Sequence, residues 1–172
     1  MSDSIEIVPI AEHHIEGFWR ALDAVARERK YLCFVEAPPI ASTVAFVEGN
    51  IRDQIPQFVA LDADEVVGWC DITPYRFEGM KHNGGLGMGI VPGYREQGLG
   101  SRLLELALAA ATERGITRVC ADVFASNMRA RALYRRHGFI EEGIRKHVRI
   151  LDGKSDDIVS MARLDSGLVF PK

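Results

Sequence analysis

Residues Ile5 to Ile10 alternate between apolar and polar side chains, the period of a half-buried strand. Ile15, Phe18, Trp19, Leu22, Val25 and Ala26 then recur at the spacing of one helix face, so a strand leads into an amphipathic helix. Past Ala37-Pro38-Pro39, Ser42 or Thr43 is placed to cap a second helix that runs to about Arg52. Gln57 to Leu61 and Val66 to Thr73 read as short strands joined at Asp62-Ala63-Asp64. A glycine-rich strand from His82 to Val91 enters the loop Pro92 to Gly98, after which Leu99, Leu103, Leu106, Ala107 and Ala110 mark a helix that stops at Gly115. Val119, Ala121 and Val123 alternate as another strand, Asn127 can cap a short helix to His137, and Gly138 ends it. Ile144, Val148 and Ile150 lead to Asp152-Gly153, a two-residue hairpin turn, and Ile158, Val159 and Met161 return as the last strand. The order β-α-α-β-β-β-α-β-α-β-β combines antiparallel hairpins with βα crossovers and predicts an α/β chain on one mixed sheet.

Composition adds a size and a class. With 172 residues, 47% hydrophobic and 26% charged, the chain sits among ordinary globular proteins. A single domain is expected over residues 1–172, with its core from about 5 to 164 and a short tail from 165 to 172. No repeat or linker interrupts it, and no apolar run approaches the roughly 18 residues of a membrane span. The first 30 residues are acidic and polar where a signal peptide would be basic and then apolar, so a cytoplasmic protein with no membrane partner is expected. Cys33, Cys70 and Cys120 are odd in number, widely spaced and set among apolar residues, which predicts buried thiols rather than disulfides or a CxxC metal site. A net charge of -3 argues against a nucleic-acid partner, but residues 1–80 carry 6 Lys/Arg against 14 Asp/Glu and residues 81–172 carry 15 against 10. The basic half suits a phosphate-bearing cofactor and the acidic half a cationic substrate; scattered solvated charges give the same count.

The chemistry concentrates after the glycine-rich strand. Arg95-Glu96-Gln97-Gly98-Leu99-Gly100-Ser101 joins a strand to a helix, where backbone N–H groups at the helix start have no partner inside the helix and can wrap a pyrophosphate. Gly98 and Gly100 admit phosphate oxygens without a Cβ in the way, and Arg95 and Arg102 add positive charge; a plain glycine turn is the simpler alternative. Position 103 is Leu where a dinucleotide GxGxxG has its third glycine, and no Gly-Lys-Ser/Thr follows for a Walker loop.

Arg95-x-x-Gly98-x-Gly100 resembles the acetyl-CoA signature of the GNAT N-acetyltransferase superfamily, R/Q-x-x-G-x-G/A. Asn127-Met128-Arg129-Ala130-Arg131-Ala132-Leu133-Tyr134-Arg135-Arg136-His137-Gly138-Phe139 is similar to that family's second signature, N-x-x-A-x-x-L-Y-x-x-x-G-F, and the resemblance extends from about Ile5 to Leu164. It implies a mixed sheet flanked by about four helices, in which the fourth strand, Gly84 to Val91, splays from the fifth, Thr117 to Ala125, to admit the pantetheine arm. It further implies that Met88, Gly89 and Ile90 offer backbone contacts to pantetheine. Arg95, Glu96, Gln97, Gly98, Leu99, Gly100 and Ser101 would bind the pyrophosphate, and Asn127 and Tyr134 would contact the cofactor. A backbone N–H near Gly89 or Ile90 would stabilise the oxyanion, and Tyr134, a phenol of pKa about 10, would protonate the leaving thiolate.

The proton acceptor for the attacking amine is open. Many relatives place a Glu on the fourth strand, whereas this chain has Asn83, Gly84 and Gly85. His82 leads, with Glu36, Asp71 and Glu78 behind it, and a plain surface or capping histidine is the alternative. No HExxH or clustered carboxylate pattern exists, so no metal is expected. Arg129, Arg131, Arg135 and Arg136 either reach the 3′-phosphate of CoA or solvate a helix. Trp19, Tyr31, Phe34, Trp69 and Tyr75 either line the acceptor site or fill the core. The resemblance implies acetyl transfer from acetyl-CoA to a small primary amine, such as an amino acid, a polyamine or an amine antibiotic. A protein or peptide N-terminus and a non-catalytic acetyl-CoA sensor are the alternatives, and a homodimer is expected from the family.

Overall fold

The structure, a computed structural model, describes residues 5–165. Seven strands form one mixed sheet: β1 (Glu6–Pro9), β2 (Gln57–Asp62), β3 (Glu65–Pro74), β4 (Asn83–Ile90), β5 (Arg118–Phe124), β6 (Ile140–Leu151) and β7 (Lys154–Leu164). Their order across the sheet is β1-β2-β3-β4-β5-β7-β6. Four helices accompany them: α1 (Ile15–Arg27), α2 (Ile40–Arg52), α3 (Leu99–Glu113) and α4 (Met128–Arg136). This is the mixed α/β architecture that the sequence pattern predicts. The expected tail beyond residue 165 lies outside the described residues. The chain divides into two compact units, one holding the described residues of Met1–Asp71 with Gly87–Ala107, the other those of Ile72–Leu86 with Leu108–Lys172.

In the first unit, β1 runs antiparallel to β2, and β2 antiparallel to β3. α1 buries Ile15, Phe18, Val25 and Ala26 of the expected stripe and Ala21 beside them, while Leu22 and Trp19 stay half-exposed and Trp19 donates its indole N–H to Pro38 O at 2.8 Å. Val47 of α2, Val59 of β2 and Trp69 of β3 complete this core, with the Phe18 and Trp69 rings edge to face at 5.7 Å. α2 starts earlier than its hydroxyl residues suggest. Its N-cap is Pro39, with no side-chain cap, and the N–H of Ser42 bonds to Pro39 O at 2.8 Å. Proline's fixed φ suits a helix start, so Ser42 and Thr43 fall inside the first turn and the Thr43 side chain is buried.

In the second unit, β4 and β5 are parallel, with Asn83, Gly84 and Gly85 opposite Arg118, Val119 and Cys120. β5 buries Val119, Ala121 and Val123 and pairs antiparallel with β7. The β6–β7 hairpin closes at Asp152 and Gly153, both at positive φ (52° and 71°), the backbone that a two-residue type I′ turn requires. The expectation of three buried thiols fails at one position: Cys70 is buried and Cys120 half-buried, but Cys33 is exposed. Cys33 lies in the irregular segment between α1 and α2, where its apolar neighbours belong to no strand or helix that could cover it. No described helix is long and apolar enough to cross a membrane.

Candidate functional site

The loop between β4 and α3 contains three left-handed residues, Gly93 (φ 92°), Glu96 (62°) and Gly98 (78°). The first backbone bond onto α3 runs from Arg102 N–H to Gly98 O at 3.2 Å. The N–H groups of Leu99, Gly100 and Ser101 therefore belong to the helix start, which leaves its first donors outside the helical ladder. Those donors suit a pyrophosphate, as does the positive end of the helix dipole.

The side chains around this loop have structural partners in the same unit. Arg95 donates to Ile90 O at 2.7 Å and to both carboxylate oxygens of Glu28, one of them at 2.9 Å, and its guanidinium lies 4.8 Å from the Tyr31 ring centroid. The bond to Glu28 raises the Arg95 pKa above its ordinary value against the opposing effect of burial. Arg95 thus ties the loop to the end of α1. Tyr94 donates to Asp62 at 2.6 Å, and Gln97 donates back to Gly93 O at 2.9 Å. Of the residues expected to bind pyrophosphate, Gly98, Leu99, Gly100 and Ser101 present backbone, Glu96 supplies a turn conformation, and Arg95 and Gln97 hold the loop in shape.

Met88, Gly89 and Ile90 are half-buried at the end of β4. The β3–β4 register is set by Val91 N–H donating to Val67 O and Tyr75 N–H donating to Asn83 O. Both bonds give one antiparallel alignment, with Trp69 opposite Gly89 and Asp71 opposite Gly87. A Cβ at Gly89 would lie 2.2 Å from the Trp69 ring, and one at Gly87 would lie 3.1 Å from an Asp71 carboxylate oxygen. The two glycines leave room for those side chains.

In the second unit, Asn127 heads α4 and its side-chain oxygen accepts from Ala130 N–H at 3.1 Å, the cap its position in the sequence predicts. Tyr134 is buried on α4 with its ring 5.4 Å from that of Phe139. Arg131 and Arg135 both reach Glu141, and this ion-pair cluster accounts for half of the basic run. His82 is exposed just ahead of β4, its Nε2 3.2 Å from Asn83 Nδ2. Glu36 is exposed and lies 3.7 Å from Arg27, and Glu78 pairs with Lys81. Among the described residues no group of three or more His, Cys, Asp or Glu could hold a metal ion.

Sequence reasoning missed Glu28 and Asp62 as anchors of the loop. Their only trace in the sequence is a carboxylate at the end of an amphipathic helix and another at a hairpin turn, and neither residue type is specific there.

Comparison with known proteins bears on the same stretch. The sequence profile of the acetyltransferase (GNAT) family matches residues 19–139. The chain is 41% identical over 69 residues to the [ribosomal protein bS18]-alanine N-acetyltransferase of Escherichia coli K12, covering 40% of this chain and 47% of that protein. It thus spans about half the length of the curated relatives it matches. The crystal structure of a ribosomal-protein-alanine N-acetyltransferase from Brucella melitensis superposes with TM-score 0.85 at 26% identity, covering 92% of this chain and 99% of that one. A phosphinothricin acetyltransferase from Sinorhizobium meliloti, in complex with AcCoA, superposes with TM-score 0.89 at 19% identity over 100% of this chain and 94% of that one.

Proposed function

The chain belongs to the GNAT acetyltransferase family, and we propose that it transfers the acetyl group of acetyl-CoA to a primary amine. The observation that carries this reading is the loop from Arg95 to Ser101. Its two left-handed residues, Glu96 and Gly98, and the N–H groups of Leu99, Gly100 and Ser101 at the helix start fit a pyrophosphate. The same helix start and loop would hold the diphosphate of CoA, and the bound thioester would supply an activated acetyl group.

The backbone of Met88, Gly89 and Ile90 would position the pantetheine arm, and an N–H near Gly89 or Ile90 would donate to the developing oxyanion. Tyr134 gives its phenolic proton to the departing thiolate, and Asn127 keeps α4 started at the residue its cap fixes. Positioning and oxyanion stabilisation supply much of the rate.

The acceptor in this reading is a small primary amine. What supports it is that the aromatic residues of α1 and the segment after it are fixed within their own unit, Trp19 by Pro38 O and Tyr31 by Arg95. A second reading, acetylation of an N-terminal alanine on a protein, is favoured by the 41% identity to the bS18-alanine enzyme. Thiol release measured side by side with amino acids, polyamines and short peptides beginning with Ala separates the two.

Tyr134→Phe tests the acid. The phenyl ring preserves the buried packing against Phe139, so acetyl-CoA affinity stays within about twofold while kcat falls about 100-fold. Equal turnover in the variant removes Tyr134 from the chemistry.

A further inference from the structure

Among the described residues, Asp71 is the one charged side chain that is buried, 8% exposed in the middle of β3. A carboxylate withdrawn from water is costly unless something pairs with it, and such groups concentrate where chemistry uses them. Its surroundings are built around it. Side chains alternate along a strand, so Asp71 shares a face with Trp69, the face that carries the α1 and α2 core. On one side its cross-strand partner is Gln57, which accepts from Asn50 Nδ2 at 2.7 Å and whose buried Nε2 has no hydrogen-bond partner among the described residues. On the other side is Gly87, where a Cβ would meet the two carboxylate oxygens at 3.1 and 3.3 Å. A polar row from Asn50 through Gln57 to Asp71 thus ends against Gly87 of β4, two residues before Gly89.

We propose that Asp71 is the group that receives the acceptor as an ammonium ion and takes its proton, a reading that rests on the acetyl transfer proposed above. An anion held in a partly dry site attracts a cation strongly, and the amine must lose a proton before its lone pair can attack. The ammonium N–H proton passes to the Asp71 carboxylate. The neutral nitrogen forms its bond to the acetyl carbon as the C–S bond breaks. The sulfur takes a proton from Tyr134, Tyr134 regains one from the new amide nitrogen, and Asp71 releases its proton to water. One amide, one thiol and one proton result.

The neighbours of Asp71 leave the titration to it. Gln57 and Gly87 do not ionise in the relevant range, and Cys70, held high by burial and then by the Asp71 charge, faces the opposite side of β3. On the packed helices Glu16 pairs with Arg20, Asp23 with Arg27 and Arg52 with Asp53, and Glu48 is exposed. Tyr31 lies against Arg95.

The test is the pH dependence of CoA-thiol release from acetyl-CoA by the intact chain, with an amine that the wild type accepts. Asp71→Asn keeps the shape and removes the base. It is expected to lower kcat at pH 7 by about 100-fold or more, with acetyl-CoA affinity within twofold. Its deficit should shrink about tenfold per pH unit toward the amine's own pKa, where solvent supplies the neutral form. Should Asp71→Asn fail to fold, the wild type decides: the acid limb of kcat stays at one pH for amines whose own pKa values differ by about two units. Wild-type activity with an Asp71→Asn profile that is unchanged, or a limb that follows the amine pKa, overturns the assignment alone. A wild type that binds acetyl-CoA and acetylates no amine overturns the acetyl-transfer reading and this one with it.

Discussion

Gly89 has no space for a side chain. The Trp69 ring occupies the position a Cβ would take, with three ring carbons within 2.8 Å of it, and the ring is held in turn by Phe18. Overpacking of this kind costs about 1–3 kcal/mol. Gly89→Ala should therefore lower the melting temperature by about 5 °C. Placed in a Trp69→Leu background, the same substitution should add little, because the clash has gone; an undiminished cost in that double variant, read by thermal melts, contradicts the packing account. The sequence marked Gly89 only as a backbone contact expected for pantetheine. That Trp69 is what approaches depends on the β3–β4 register, which no local pattern carries. The Glu28–Arg95 contact, between residues 67 apart, was equally unreadable, whereas Asn127 as a cap and Asp152-Gly153 as a turn act through their immediate neighbours and could be read directly.

At the level of elements, periodicity located all seven strands and four helices, and the departures have local causes. Pro39 starts α2 without a side-chain cap, so hydroxyls at 42 and 43 misdirect a search for its first turn. β6 is mostly exposed and its alternation is broken between Arg145 and Arg149, with His147 at a φ of 52°, so only its partner β7 reads cleanly. Polar contacts help to hold this part of the sheet. Arg118 of β5 reaches both carboxylate oxygens of Glu142 on β6, one at 2.8 Å, and that bond lowers the Glu142 pKa against burial. A carboxylate depressed on folding stabilises the fold fully above its unfolded value near 4.5, and the contribution is lost as pH falls through the lower folded value. Glu142→Gln should thus melt about 2 °C below wild type at pH 7, as suits a partly exposed pair. The gap should close once the pH has fallen below the lowered folded-state value, where Glu142 is protonated in both states; a gap that persists there shows that the loss is one of packing, not charge.

For the whole molecule, the two signature segments fall in different compact units, the Arg95–Ser101 loop in one and the Asn127–Phe139 helix in the other. Each unit builds its own part for its own physical reason: left-handed turns and an open helix start in the first, a capped helix with a buried phenol in the second. That is why the two signature segments were legible in two short stretches while the proposed proton acceptor was not. A base has no spacing signature, and what sets Asp71 apart from the other carboxylates of an acidic half is its burial between Gln57 and Gly87, which the strand register brings about. The central claim, acetyl transfer to an amine, is met most directly by measuring CoA-thiol release from acetyl-CoA over a panel of amino acids, polyamines, amine antibiotics and peptides with free N-termini. Thiol release that depends on at least one primary amine and yields the matching acetylated product is the expected result. Acetyl-CoA bound by the chain with no thiol released from any member of the panel would contradict it.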